Sequence, residues 1–216
     1  MDYEAHNAEV RQVWQAYHNR KPLRVPMVLG ISAQWSLSMP EANPEGYSFR
    51  DYMTDPQAML QHQLRKAWWT RHLVLQDAEM GLPEAWSIGV DGQNVFEAGW
   101  MGGKIVIRDD QPPAAEPCLA DDNKHSILDR GIPDFFSGGW AQWNWDRYGL
   151  MREEADKGRE LSGRPISDIA PTGLGTDGPF TVACQLRAPD ALCLDMYLDP
   201  NYYHALMSLG TEATIQ

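Results

Sequence analysis

Between residues 4 and 19, Val10, Val13, Trp14 and Tyr17 recur at near-helical spacing among charged and polar neighbours, which predicts an amphipathic first helix. Pro22 ends it. From Arg24 to Ile31 the pattern changes to a continuous apolar run, Val25, Met27, Val28, Leu29 and Ile31, broken only by Pro26 and Gly30. A run without polar alternation predicts a short strand buried on both faces, as in a parallel sheet covered by helices. Its exit, Ser32-Ala33-Gln34-Trp35-Ser36, is polar and aromatic.

Two Asp-Pro pairs announce helices, because the carboxylate can cap open N–H groups and proline suits the first turn. Asp55-Pro56 starts one that Met59, Leu60, Leu64, Ala67, Trp68 and His72 carry to about residue 73. Asp199-Pro200 starts another, expected still to be running at Gln216, with no glycine or proline stop. Between them, strands are predicted at 84–90, 104–108 and 164–170, a Pro-rich loop at 109–117, a helix at 140–161, and a further helix start at Gly178-Pro179-Phe180-Thr181. Strands separated by long helical patterns predict α/β units around a parallel sheet. About three units are visible.

Thirty acidic residues stand against eighteen basic ones, a formal net charge of -12. That balance repels phosphate backbones, and no basic stripe offsets it, so nucleic acid is not an expected partner. The N-terminal stretch has no apolar run long enough for a signal peptide or a membrane span, which predicts a cytoplasmic protein without a membrane partner. Cys118, Cys184 and Cys193 lack paired spacing and are expected to be reduced thiols.

The stretch Asp177-Gly178-Pro179-Phe180-Thr181-Val182-Ala183-Cys184-Gln185-Leu186-Arg187, followed by Asp195-Met196-Tyr197-Leu198-Asp199-Pro200, resembles a conserved segment of the uroporphyrinogen decarboxylase superfamily. That superfamily also contains methylcobamide:coenzyme M methyltransferases. Ala188 stands where the family pattern has glycine. Arg24-Val25-Pro26 is similar to the family's entry into its first strand, and Asp109-Asp110-Gln111-Pro112-Pro113 to a loop of its longer members. The resemblance implies a (β/α)₈ TIM-barrel fold with its site at the C-terminal strand ends. Such a barrel needs about 250 residues, so roughly its first half is expected in this chain.

The resemblance also separates two chemistries. Uroporphyrinogen decarboxylases carry an Arg-Gln-Ala-Gly-Arg motif after the first strand, whose guanidinium forks bind substrate carboxylates. Here that stretch is Gly30-Ile31-Ser32-Ala33-Gln34-Trp35-Ser36-Leu37, without a cation. The methyltransferases use zinc, held by His-x-Cys and a distant Cys, to activate a thiol. No His-x-Cys occurs here, and the resemblance places such ligands beyond residue 216. The expected activity is methyl transfer from a corrinoid protein to a thiol, ahead of tetrapyrrole decarboxylation or a non-catalytic half-barrel.

Six residues are candidates for substrate binding. Gln34 and Trp35, at the first strand exit, offer an amide and a stacking surface, or simple packing under a lid. Asp168, near the end of strand 164–170, either orients substrate or caps a turn. Asp91 before Gly92 is a ligand or an ordinary turn residue, and Asp77, Glu79 and Asp91 all stay open as the counterpart of the decarboxylase's essential aspartate. Asp177 and Gly178 form a helix entry whose N-terminus would favour an anionic ligand group, with Phe180 packed inward. Trp140, Trp143 and Trp145 suggest a stacking platform for a corrinoid or sugar, or a packed core.

Overall fold

The computed structural model describes residues 1–172 and 175–215. In chain order its elements are α1 (Tyr3–His18), α2 (Ala33–Ser38), α3 (Phe49–Thr54), α4 (Pro56–Leu73), β1 (Trp86–Gly89), a 3₁₀ turn (Gln93–Val95), α5 (Phe96–Trp100), β2 (Lys104–Val106), β3 (Ala114–Glu116), α6 (Ser126–Arg130), α7 (Gly139–Asp156), β4 (Glu160–Leu161), β5 (Arg164–Ala170), α8 (Pro179–Arg187), α9 (Pro189–Leu198) and α10 (Pro200–Ile215). The chain divides into two units, 1–88 with 151–169, and 89–150 with 170–216.

In the first unit α1 begins where Asp2 accepts the Ala5 N–H, and it buries Val10 and Val13. Asn7 exchanges two hydrogen bonds with the backbone of Met80, at 3.0 and 2.8 Å, which fixes the helix against the segment after α4. The Asp55 carboxylate caps α4 through Gln57 N–H at 2.8 Å, as its Asp-Pro start requires. Met59, Leu60 and Leu64 then face the core.

The strand expected at 24–31 does not form. Among the described residues the segment joins no ladder; it makes one backbone bond, Asp77 N–H to the Met27 carbonyl at 2.7 Å, and side chains take two of its amides, Met27 N–H by Asp77 Oδ2 at 2.7 Å and Leu29 N–H by Gln76 Oε1 at 2.9 Å. Arg24 clamps Asp77 with Nη1 and Nη2 of its guanidinium. Val25, Met27, Val28 and Leu29 are exposed, where the apolar run predicted burial on both faces. A strand is buried only when neighbouring backbones flank it, and one backbone bond with two side-chain acceptors does not supply such flanks.

β5 lies between β1 and β4 in a three-stranded sheet. Ser87 meets Asp168, and Gly89 lies against the Ala170 carbonyl, so partners advance together along β1 and β5, the order of a parallel pair. β4 is antiparallel to β5, joined through Ser162 and Gly163, both at positive φ, the conformation of a two-residue hairpin turn. Residues 160–161 were expected in the preceding helix, which instead ends at Asp156. The Pro-rich 109–117 segment also holds a strand, because β3 pairs with β2 in a short antiparallel ribbon.

The second unit is built on α8, α9 and α10. Val182, Ala183, Leu186, Leu192, Tyr202 and Leu206 pack with Ala98, Met101, Leu119 and Ile127. Gly210 permits close approach of α10 to Pro179; a Cβ there would stand 3.1 Å from the proline ring. At the C-terminal end of α8, Arg187 is buried and gives Nε to Asp195 Oδ2 at 2.8 Å, Nη1 to the Leu119 carbonyl at 2.8 Å and Nη2 to Asp121. Lys124 bridges Asp195 and Asp199, each at 2.9 Å, and lies over the Tyr202 ring. Burial works to raise the Asp195 pKa, but the Arg187 and Lys124 bonds overcome it and hold the carboxylate below its usual range. Burial pushes the Tyr202 phenol up to about 12. The helix that was expected to continue at Gln216 is followed to Ile215; position 216 lies outside the described residues, as do 173 and 174 of the glycine-rich connection.

Candidate functional site

The segments leaving β1 and β5 enter the second unit at Gly89 and Ala170. Within that second unit lies a cleft of about 670 Å³. Its walls are aromatic: Phe96 and Trp100 from α5, Phe135 and Phe136 from the loop before α7, and Trp145 from α7. The rings support one another. Phe135 makes edge contacts with Phe96, Trp100, Phe136 and Trp145 at centroid distances of 5.4 to 6.0 Å, and Phe136 stacks on Trp145 at 5.5 Å. Trp145 is fixed by donating its indole N–H to the Phe135 carbonyl at 2.9 Å.

Carboxylates form the polar edge. Glu97 lines the cleft and also an adjoining recess of about 290 Å³ that Gln93, Thr172 and Asp177 complete. Glu97 Oε2 accepts the Asp177 N–H at 2.6 Å, placing two acidic residues together. Partial burial raises the Asp177 pKa, and the Glu97 charge adds to the rise. Asp134, on the cleft wall, accepts Ser137 Oγ at 2.6 Å and the Phe136 N–H at 3.0 Å, and these bonds hold its carboxyl below the usual range against burial. None of the described residues lining the cleft or recess is Lys or Arg.

Of the six sequence candidates, Asp177 lies in this site and Gly178 is its neighbour. Gly178 has φ +88° and begins α8, in agreement with the glycine requirement at that entry. The amides of the two residues before the helix are taken by the protein itself, Asp177 N–H by Glu97 at 2.6 Å and Gly178 N–H by Thr176 Oγ1 at 2.8 Å. Phe180, expected to pack inward, is 44% exposed. Asp91 adopts the turn role, with Oδ1 accepting Gln93 N–H at 3.0 Å and Oδ2 accepting the Gln93 side-chain amide at 2.7 Å; it therefore braces a residue of the recess.

Gln34, Trp35 and Asp168 belong to the first unit. Gln34 and Trp35 are exposed on α2 instead of following a strand. Asp168 lies near the end of its strand, as expected, two residues before β5 ends at Ala170; it is exposed there and accepts Ser87 Oγ at 3.0 Å. The tryptophan cluster divides: Trp145 lines the cleft, Trp140 packs over Gly99, and Trp143 lies under the Arg147 guanidinium at 4.1 Å. Phe96, Glu97, Trp100, Phe135 and Phe136 were not singled out by sequence.

Among the described residues no group of three or more His, Cys, Asp or Glu is arranged to hold a metal ion. Burial pushes the Cys184 thiol up, and neighbouring Cys193 adds to this. No helix among these residues is long and apolar enough to cross a membrane.

No protein-family model matches the sequence, and no curated protein matches it. Among solved structures, a methyltransferase from Methanosarcina mazei is similar over 94% of this chain, with a TM-score of 0.54 and 16% sequence identity. The chain spans about half of that protein, 52% of its length. The likeness establishes a mixed α/β fold shared with a methyltransferase.

Proposed function

We propose that this chain is part of a methyl-transfer enzyme of the uroporphyrinogen decarboxylase superfamily, built on a (β/α)₈ barrel, with its small-molecule site in the aromatic cleft. The observation that carries the reading is the fold likeness to a methyltransferase over 94% of the chain. The motif that resembles the superfamily supports it: its Arg187, Asp195 and Asp199 are linked in one charge network through Lys124. Porphyrinogen decarboxylation fits less well. Its substrate is a polyanion, and the cleft presents Glu97 and Asp134, with Asp177 in the adjoining recess.

In this reading the aromatic walls shield the reacting group from water, and Glu97 and Asp177 orient it. A corrinoid protein would deliver the methyl group and a thiol would accept it. Zinc would require ligands outside residues 1–216, since the described residues hold no group of His, Cys, Asp or Glu arranged for a metal. The test is to incubate the protein, expressed from its whole natural reading frame, with methylcobalamin and a thiol, and separately with uroporphyrinogen. Demethylation of the corrinoid with formation of a methyl thioether supports the proposal. Consumption of uroporphyrinogen with methylcobalamin untouched would overturn it.

A further inference from the structure

We infer that the aromatic cleft binds an organic cation, a molecule bearing a methylated or quaternary ammonium group. The inference concerns binding and stands whether or not the reaction is methyl transfer. Phe96, Trp100, Phe135, Phe136 and Trp145 present a wall of π-systems, and aromatic faces attract a cation most strongly when it carries its own apolar skin. A metal ion keeps its hydration shell and needs converging oxygen, nitrogen or sulfur ligands, a grouping not found among the described residues.

The charges select the sign. Glu97 lines both the cleft and the adjoining recess, where Asp177 joins it, Asp134 lies on the cleft wall, and no Lys or Arg is among the described lining residues. An anion entering here would meet carboxylates, and the amides of Asp177 and Gly178 are already committed to Glu97 and Thr176. A neutral apolar ligand would cover the rings and leave the acidic pair unanswered. A methylated ammonium satisfies both, its methyl groups on the rings and its charge beside the carboxylates. At about 670 Å³ the cleft has the size of a small-molecule site.

The experiment compares choline with 3,3-dimethylbutan-1-ol, its neutral isostere, by isothermal titration against the whole chain. Choline is expected to bind saturably and at least about tenfold more tightly than the alcohol, the factor that roughly 1.4 kcal/mol of cation–π and charge interaction gives. Glu97→Gln retains an oxygen for the Asp177 N–H and removes the charge; it is expected to weaken choline about tenfold and leave the alcohol unchanged. Phe136→Leu, at a ring 69% exposed and so of little consequence for folding, is expected to weaken choline severalfold. Equal affinity for the two ligands, no saturable choline binding by the folded protein, or choline binding that neither substitution alters would each overturn the inference.

Discussion

The two ends of α8 use the same residue types to opposite ends. At the C-terminal end Arg187 is buried with Asp195, and Lys124 closes the circuit to Asp199, so each of these two buried or half-buried carboxylates has a cation against it. At the N-terminal end Asp177 meets Glu97, another acid, beside an open aromatic cleft with no Lys or Arg among its described lining residues. Desolvated charge is costly unless paired. The first end has met that cost within the fold and serves architecture. The second leaves its carboxylates without a cation beside the cleft, where a positively charged ligand can meet them.

The largest effect expected from this contrast comes from Arg187→Ala. It strands Asp195 in the core beside Lys124 alone, and loss of one partner from a buried ion pair costs about 3–5 kcal/mol. Denaturant unfolding should show that loss as a lowered midpoint; a change under 1 kcal/mol, on the order of a surface pair, would move this network out of the architecture.

A smaller pair of effects concerns the backbone at the same two ends. Gly178 and Ala188 both have strongly positive φ, +88° and +75°, but only the first is glycine. Alanine in that region is strained by roughly 1–3 kcal/mol, partly offset by the extra unfolded-state entropy of glycine. Ala188→Gly should therefore stabilise the protein by about 1 kcal/mol. Gly178→Ala should destabilise it by a similar amount through strain alone, since a Cβ there meets nothing within 4 Å. Thermal melts of the two variants should move in opposite directions.

The smallest effect is the sense in which the two ends titrate. Asp177 has a raised pKa, so the folded state binds its proton more readily than the unfolded chain does. Its contribution to stability grows as pH falls from neutrality through that raised pKa, and levels off below the ordinary aspartate value. Asp195 is held low by Arg187 and Lys124 against burial. Its contribution is present above the ordinary aspartate value and is lost as pH falls below it. Asp177→Asn should flatten the first limb of a stability profile and leave the second in place, as pH-dependent unfolding would show.

How much of this was legible in sequence follows from how local each signal is. The Asp-Pro starts were read from adjacent residues and hold: Asp55 caps α4, and Asp199 Oδ1 accepts the Tyr202 N–H at 3.2 Å. β1, β2 and β5 formed near their predicted positions because each short apolar run carries its own pattern. The 24–31 run carried the same pattern and failed, since ladder partners are a property of other segments. Position 188 was visible as a departure from glycine, and its positive φ explains why glycine suits it.

The cleft was the least legible part. Its walls come from 96–100, 132–136, 145 and 175–177, and every piece alone has an ordinary explanation as core, loop or turn. Trp145 could not be told from Trp140 and Trp143 by helical spacing, because which of the three faces the cleft depends on where Phe135 and Phe136 lie. Arg187 and Asp195 were noticed as parts of a motif, and their pairing emerged only with α8 and α9 in place.

The most direct test of the difference between the two ends is the Asp177 carboxyl itself, followed by ¹³C NMR through a pH titration with and without choline. The account predicts a pKa above the ordinary aspartate range in the free protein, lowered when choline is bound because the cation favours the charged form. An Asp177 that titrates in the ordinary range and does not respond to choline would contradict it.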